Sequence, residues 1–187
     1  MKRPSIIACC IVALFGGWRL AGAPLIGIGM EWGIAYEQFQ DSRMTGQGQI
    51  INLNFFVNDS FQLFVLLEEQ SVALDDDDVS VDFKVTYNGV GLSYETAWAR
   101  AGLAFGKADI RYPFLWFVPE ESAMFVELFG AVHLVKEDGK KLSYFVTAAL
   151  KYRFLRLESL TMANFPIYSD AVNGNGAVVS LTIGLGF

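Results

Sequence analysis

From residue 25 to the C-terminus, apolar side chains recur at every second position. Ile26, Ile28, Met30, Trp32, Ile34 and Tyr36 alternate with Gly27, Gly29, Glu31, Gly33, Ala35 and Glu37. Ile51, Leu53, Phe55 and Val57 form a second such set, and Phe61, Leu63, Val65 and Leu67 a third. Val79, Val81, Phe83, Val85 and Tyr87 follow, and later Leu142, Tyr144, Val146, Ala148, Leu150 and Tyr152. Val179, Leu181, Ile183, Leu185 and Phe187 end the chain, against Ser180, Thr182, Gly184 and Gly186. A period of two belongs to strands whose two faces meet different surroundings. No helical period competes with it.

Turn chemistry divides these runs. Asn58-Asp59-Ser60 separates Val57 from Phe61. Asn88-Gly89 is a strong two-residue hairpin signal, and the apolar parity switches across it, from Tyr87 to Val90. Glu137-Asp138-Gly139 fits a three-residue loop with glycine in the left-handed position, joining a strand near 122–135 to one at 141–154. Two strands are expected between Val90 and Glu121, with Pro113 and Pro119 marking a strand end. The stretch LRLESLTMANF, 155–165, interrupts the alternation as a bulge would. The prediction is an all-β chain of about ten antiparallel strands, or eight if 90–118 is mostly loop.

The less apolar face decides what kind of barrel this is. A soluble barrel points its apolar face inward and covers the other with charge. Here the other face is largely glycine, alanine, serine and threonine, which suits a crowded interior better than a solvated surface. The apolar face carries Trp32, Tyr36, Tyr87, Tyr94, Tyr144 and Tyr152, many near strand ends, like the aromatic girdles at membrane interfaces. A cation facing lipid at mid-depth costs ~2–4 kcal/mol, and Lys84, Lys151 and Arg153 all fall on the small, polar face. A sheet in hydrocarbon must also close on itself to satisfy its backbone. The expected architecture is a closed, up-and-down transmembrane β-barrel over 25–187, and a soluble periplasmic ligand-binding barrel is the distant alternative.

Composition adds an export signal. The chain is 53% hydrophobic, yet its longest apolar run, Ile6 to Gly17, falls short of the ~18 residues of a membrane helix. That run follows Lys2 and Arg3 and precedes Ala21-Gly22-Ala23, so residues 1–24 read as a signal peptide. Both cysteines, Cys9 and Cys10, lie inside it, which leaves no thiol for disulfides, catalysis or zinc. Without Lys2, Arg3 and Arg19 the balance is 11 basic against 20 acidic residues, net −9, which argues against a nucleic-acid partner.

With its export signal, period-two strands and aromatic terminus, the sequence resembles the small bacterial outer-membrane β-barrels. In that class the last strand ends in an aromatic, with apolar residues at alternate positions before it. Val179, Leu181, Ile183, Leu185 and Phe187 match that pattern. The resemblance implies a bacterial outer-membrane location, with the termini on the periplasmic side. It also implies contact with outer-membrane lipid and lipopolysaccharide, and recognition of the last strand by the barrel-assembly machinery. Asn58-Asp59-Ser60 and Asn88-Gly89 would be periplasmic turns, and 38–48, 74–78, 137–139 and 168–176 external loops.

Candidate chemistry is sparse. Glu31, Glu68, Asp82 and Glu127 are expected in the interior with Lys84, Arg100, Lys151 and Arg153, either paired as a plug or lining a narrow pore. His133 is the only histidine, and a loop at 137–139 sets it opposite Ser143. Together they suggest a lipid hydrolase as the alternative function. Glu127, six residues of strand or about 20 Å from His133, is too far to orient its ring. A structural or pore-lining histidine is the simpler reading. Asp75, Asp76, Asp77 and Asp78 could bind a divalent cation, but they lack the alternation and glycine of a calcium loop and read first as a solvated charge run. Neither a nucleotide-binding loop nor a metal-ligand cluster is visible, so no cofactor is expected. The function expected is an integral outer-membrane barrel with a structural, adhesive or narrow-pore role.

Overall fold

Alternation translates into long strands. In the computed structural model these are β1 (Gly27–Phe39), β2 (Met44–Phe56), β3 (Phe61–Asp76), β4 (Val79–Glu95), β5 (Ala99–Arg111), β6 (Glu121–Asp138) and β7 (Ser143–Leu157). The pieces β8 (Leu160–Met162), β9 (Phe165–Tyr168) and β10 (Val172–Asn173) precede β11 (Gly176–Gly186). The structure describes residues 27–40, 43–58, 60–76, 79–111, 121–138, 142–157, 160–162, 165–168 and 172–187. The expected leader, 1–24, and Asp77 and Asp78 lie outside these residues. Asp75 and Asp76 end β3.

Consecutive strands from β1 to β7 pair antiparallel, β7 pairs with β11, and β11 pairs with β1, so the sheet closes. The last seam runs from Gly29↔Gly186 to Phe39↔Gly176 and is extended by reciprocal backbone hydrogen bonds between Ile28 and Phe187. Eight strands make the barrel, not the ten first expected. β8 and β9 form a small separate hairpin, and β10 pairs with the end of β7.

Asn88-Gly89 accounts for much of the overcount, because β4 runs straight through it. Asn88 and Gly89 pair with Leu67 and Leu66 on one side, and with Lys107 and Gly106 on the other. Gly89 serves a packing purpose rather than a turn: a Cβ there would stand 2.9 Å from the Phe125 ring and 2.8 Å from the Phe105 carbonyl. The parity switch is real but has another origin. Phe83, Val85 and Tyr87 point into the barrel, whereas Val90 is half-buried on the outer face and Leu92 and Tyr94 point out. Tyr87 is therefore an interior residue and not part of an aromatic girdle.

Glu137 and Asp138 belong to a strand and not to a loop. β6 continues through Glu137 and Asp138, which pair with Tyr144 and Ser143, so the chain turns between Asp138 and Ser143. This turn lies at the same barrel end as the termini, hereafter the terminal end, instead of among external loops. A bulge at Leu134 shifts the register, leaving Leu134 and Val135 both exposed.

The outer surface carries Ile28, Met30, Trp32, Ile34 and Tyr36 from β1, Leu142, Tyr144, Leu150, Tyr152 and Phe154 from β7 and its approach, and Val179, Leu181, Ile183, Leu185 and Phe187 at the C-terminus, all exposed. Among the described residues no helix is long and apolar enough to cross a membrane. Barrels cross with strands, closing the sheet and turning an apolar belt outward. If β4 is one strand, amide exchange of the folded protein in detergent will show residues 86–91 as protected as the middle of β3; a hairpin at Asn88-Gly89 would exchange rapidly there.

Candidate functional site

The interior face of the strands is where charge gathers, and it does so in three groups. Alternation from β1 sends Glu31 and Glu37 inward, and β3, β6 and β7 contribute Glu68, Glu127, Lys151 and Arg153. Asn52 and Asn54 come from β2 and Arg100 from the start of β5.

The central group is organised by Arg153, whose side chain is 0% exposed. Its Nη1 donates to Glu37 Oε2 at 2.7 Å, and its Nη2 to Glu68 Oε2 at 2.8 Å and Glu127 Oε2 at 2.6 Å. Its Nε donates to Glu127 Oε2 at 3.1 Å. The guanidinium lies 3.7 Å over the Tyr87 ring, and the Tyr87 hydroxyl donates to Glu37 Oε2 at 3.4 Å. Lys151 approaches Glu127 at 3.2 Å and Glu68 at 3.8 Å. Three carboxylates from three strands thus converge on one planar fork that presents five N–H donors. Isolated, each buried charge would be severely penalised; together they satisfy one another.

Nearer the terminal end, Arg100 holds Glu31 through two hydrogen bonds, one of them Nη2 to Oε2 at 3.0 Å. Asn54 and Asn52 add amide donors to the same carboxylate at 2.9 and 3.2 Å. Between this pair and Lys151 the interior leaves a cavity of about 20 Å³, room for about one water. On the other side of Arg153 the lumen turns apolar. Phe39, Met44, Val72, Phe83, Val85, Ile110, Phe125 and Leu155 are all buried there. Ion pairs and an apolar layer fill the bore in series.

The third group sits at the terminal mouth. Glu95 accepts from Gln62 Nε2 at 2.6 Å and from Lys136 Nζ at 2.9 Å, with His133 Nε2 at 3.4 Å. His133 Nδ1 lies 3.0 Å from Thr147 Oγ1. The register pairs His133 with Thr147 and gives Ser143 to Asp138, so the expected His133–Ser143 opposition does not form. An acid, an imidazole and a hydroxyl do stand in line as Glu95, His133 and Thr147. Thr147, however, is 1% exposed and offers a substrate no access.

Glu31, Glu68, Glu127, Lys151 and Arg153 point inward. Asp82 and Lys84 do not: they face outward, and Lys84 Nζ pairs with Glu69 Oε1 at 2.9 Å on the outer surface. The misassignment follows from the parity switch in β4. Glu37, Glu95 and Lys136 were not singled out from sequence, and Tyr87 was assigned to the outer face. Glu37 shares the parity of Glu31, which was the available signal, whereas Glu95 and Lys136 come together only through the register of β4, β5 and β6. The described residues contain no group of three or more His, Cys, Asp or Glu arranged to hold a metal ion.

No known family profile matches this sequence, and no curated protein matches it significantly. Solved structures do match. The outer membrane protein OprG of Pseudomonas aeruginosa superposes with a TM-score of 0.55 at 9% identity, over 86% of this chain and 95% of that one. Neisserial surface protein A gives a TM-score of 0.50 at 10% identity, over 86% of this chain and 94% of that one. The fold is that of the small outer-membrane β-barrels. At such identities the likeness extends to the barrel and its connectivity; the ion pairs described above are read from this chain's own residues.

Replacing Arg153 with Met will leave Glu37, Glu68 and Glu127 without their common cation and lower stability by about 3–5 kcal/mol. Urea unfolding of the vesicle-inserted protein, followed by tryptophan fluorescence, measures this. Lys84→Met, which breaks an exposed pair, will change the same unfolding free energy by less than about 1 kcal/mol.

Proposed function

We propose that the protein is an integral outer-membrane barrel with a closed bore, serving a structural or adhesive role, its termini on the periplasmic side. The observation that carries this reading is the filled interior. Arg153 and its three carboxylates occupy the middle, and buried Phe39, Met44, Phe83 and Ile110 occupy the end remote from the termini. A cavity for about one water does not make a solute path. The apolar outer belt supports membrane residence, and the barrel fold supports the outer membrane as its place.

In this reading residues 1–24 direct export, and outer-membrane lipid and lipopolysaccharide surround the belt. The assembly machinery reads Val179, Leu181, Ile183, Leu185 and Phe187, which all point outward at the β11–β1 seam. Liposomes carrying the refolded protein will then swell in small sugars no faster than protein-free liposomes. Uptake graded by solute size would establish the narrow-pore role instead. Deleting Phe187 will reduce insertion in cells while leaving refolding in detergent intact; unchanged insertion would remove the assembly signal from the proposal.

A further inference from the structure

The parity inversion in β4 is shared by its neighbours at one level of the barrel. On β2 the outward residues change from Leu53 and Ile51 to Gln49 and Gln47, and on β3 from Leu63 and Leu67 to Glu69 and Ser71. On β4 they change from Leu92 and Val90 to Asn88, Thr86 and Lys84, and on β5 from Leu103 and Phe105 to Lys107 and Asp109. Registers Gln49↔Glu69, Glu69↔Thr86 and Asn88↔Lys107 make these positions one continuous wall. Behind it, pointing inward, lie Met44, Val72, Phe83, Val85 and Ile110, with Glu68 and Gln70 at its edge nearest Arg153. Polar outside and apolar inside is the pattern selected by a polar environment, the reverse of the lipid-facing part of the same strands. On the other side of the barrel the outward face stays apolar further along, with Met124 of β6 paired to Lys107 and with Tyr152 and Phe154 exposed on β7.

An open depression of about 1150 Å³ crosses this boundary on the outer surface. Toward the terminal end it is lined by Ile34, Ile51, Leu67, Val179 and Leu181. Beyond the boundary its lining is Gln47, Gln49, Glu69, Ser71, Thr86 and Asn88, with the half-exposed Tyr36 beside them. The charges around it cancel locally, Lys84 with Glu69 at 2.9 Å and Lys107 with Asp109 at 2.7 Å. The depression therefore offers amide and hydroxyl groups without a net charge to draw a phosphate. We propose that it binds an amphiphile whose headgroup is a neutral sugar, with its chain along Ile34, Ile51 and Leu67 and its hydroxyls hydrogen-bonded to Gln47, Gln49 and Asn88. This rests on the chain being an outer-membrane barrel, and it identifies which part of the belt selects a lipid and by what chemistry.

The test uses the full refolded barrel in nanodiscs of phosphatidylcholine containing either a neutral glycolipid or an anionic phospholipid with the same acyl chains. Native mass spectrometry then counts the lipid retained on release. The glycolipid will be retained in preference to both phospholipids. The variant Gln47→Leu, Gln49→Leu, Asn88→Leu will lose that preference, by about fivefold for each hydrogen bond removed. Equal retention of glycolipid and phosphatidylcholine, or preference for the anionic lipid, overturns the sugar assignment. A second measurement needs no change in the depression: a fluorophore on Lys107→Cys will be quenched by headgroup nitroxides and not by mid-chain ones, and the converse overturns the boundary. Failure of the barrel reading itself is separate. It would appear as a protein soluble without detergent, with no mobility difference between folded and boiled samples.

Discussion

A sheet in hydrocarbon cannot leave an edge, because every unpaired backbone N–H and C=O there costs several kcal/mol. The β11–β1 seam removes the last edge, and the rest of the molecule follows from it. Closure fixes strand order, brings the two ends of the chain together at Ile28 and Phe187, and divides the side chains into those inside and those outside. Once the barrel is closed with eight strands, the bore is narrow, and whatever points inward has to pack against the opposite wall.

That crowding explains the interior. On the β11–β1 wall Gly184 leaves room for the Phe145 ring and Gly29 for the Phe56 ring. Gly89 leaves room for Phe125 in the same way. Into this space the chain places charges that would be untenable singly. Arg153 works because Glu37, Glu68 and Glu127 arrive from three different strands, and because Tyr87 covers its face. Such a group ties β1, β3, β6 and β7 across the bore, which a sheet alone does not do. Above it, toward the end remote from the termini, the bore resembles the core of a soluble barrel, and the β2–β5 exterior there is polar to match.

Much of the fold was legible in the chain. The period of two, the outward parity of β1, β3, β7 and β11, and the inward placement of Glu31, Glu68, Glu127, Lys151 and Arg153 all follow from counting along single strands. The errors on β4 share one cause. Asn88-Gly89 carries a turn's residue types and a parity switch, yet the switch records a change of surroundings along one strand. Asp82 and Lys84 were assigned to the wrong face for that reason. The His133–Ser143 pairing failed because register depends on where a turn closes and on a bulge at Leu134, and neither leaves an unambiguous signature in residue types.

The sequence by itself determined that the chain is β throughout its barrel region, that one face is apolar enough for lipid, and which residues of most strands share a face. Those properties depend on neighbours two apart, which covalent geometry places on the same side. Tertiary structure alone decided the strand number, the partners of Arg153, Arg100 and His133, and the polar wall on β2–β5. Each of these depends on residues brought together by register and closure from distant parts of the chain. Their pairing energy exists only after the barrel has formed.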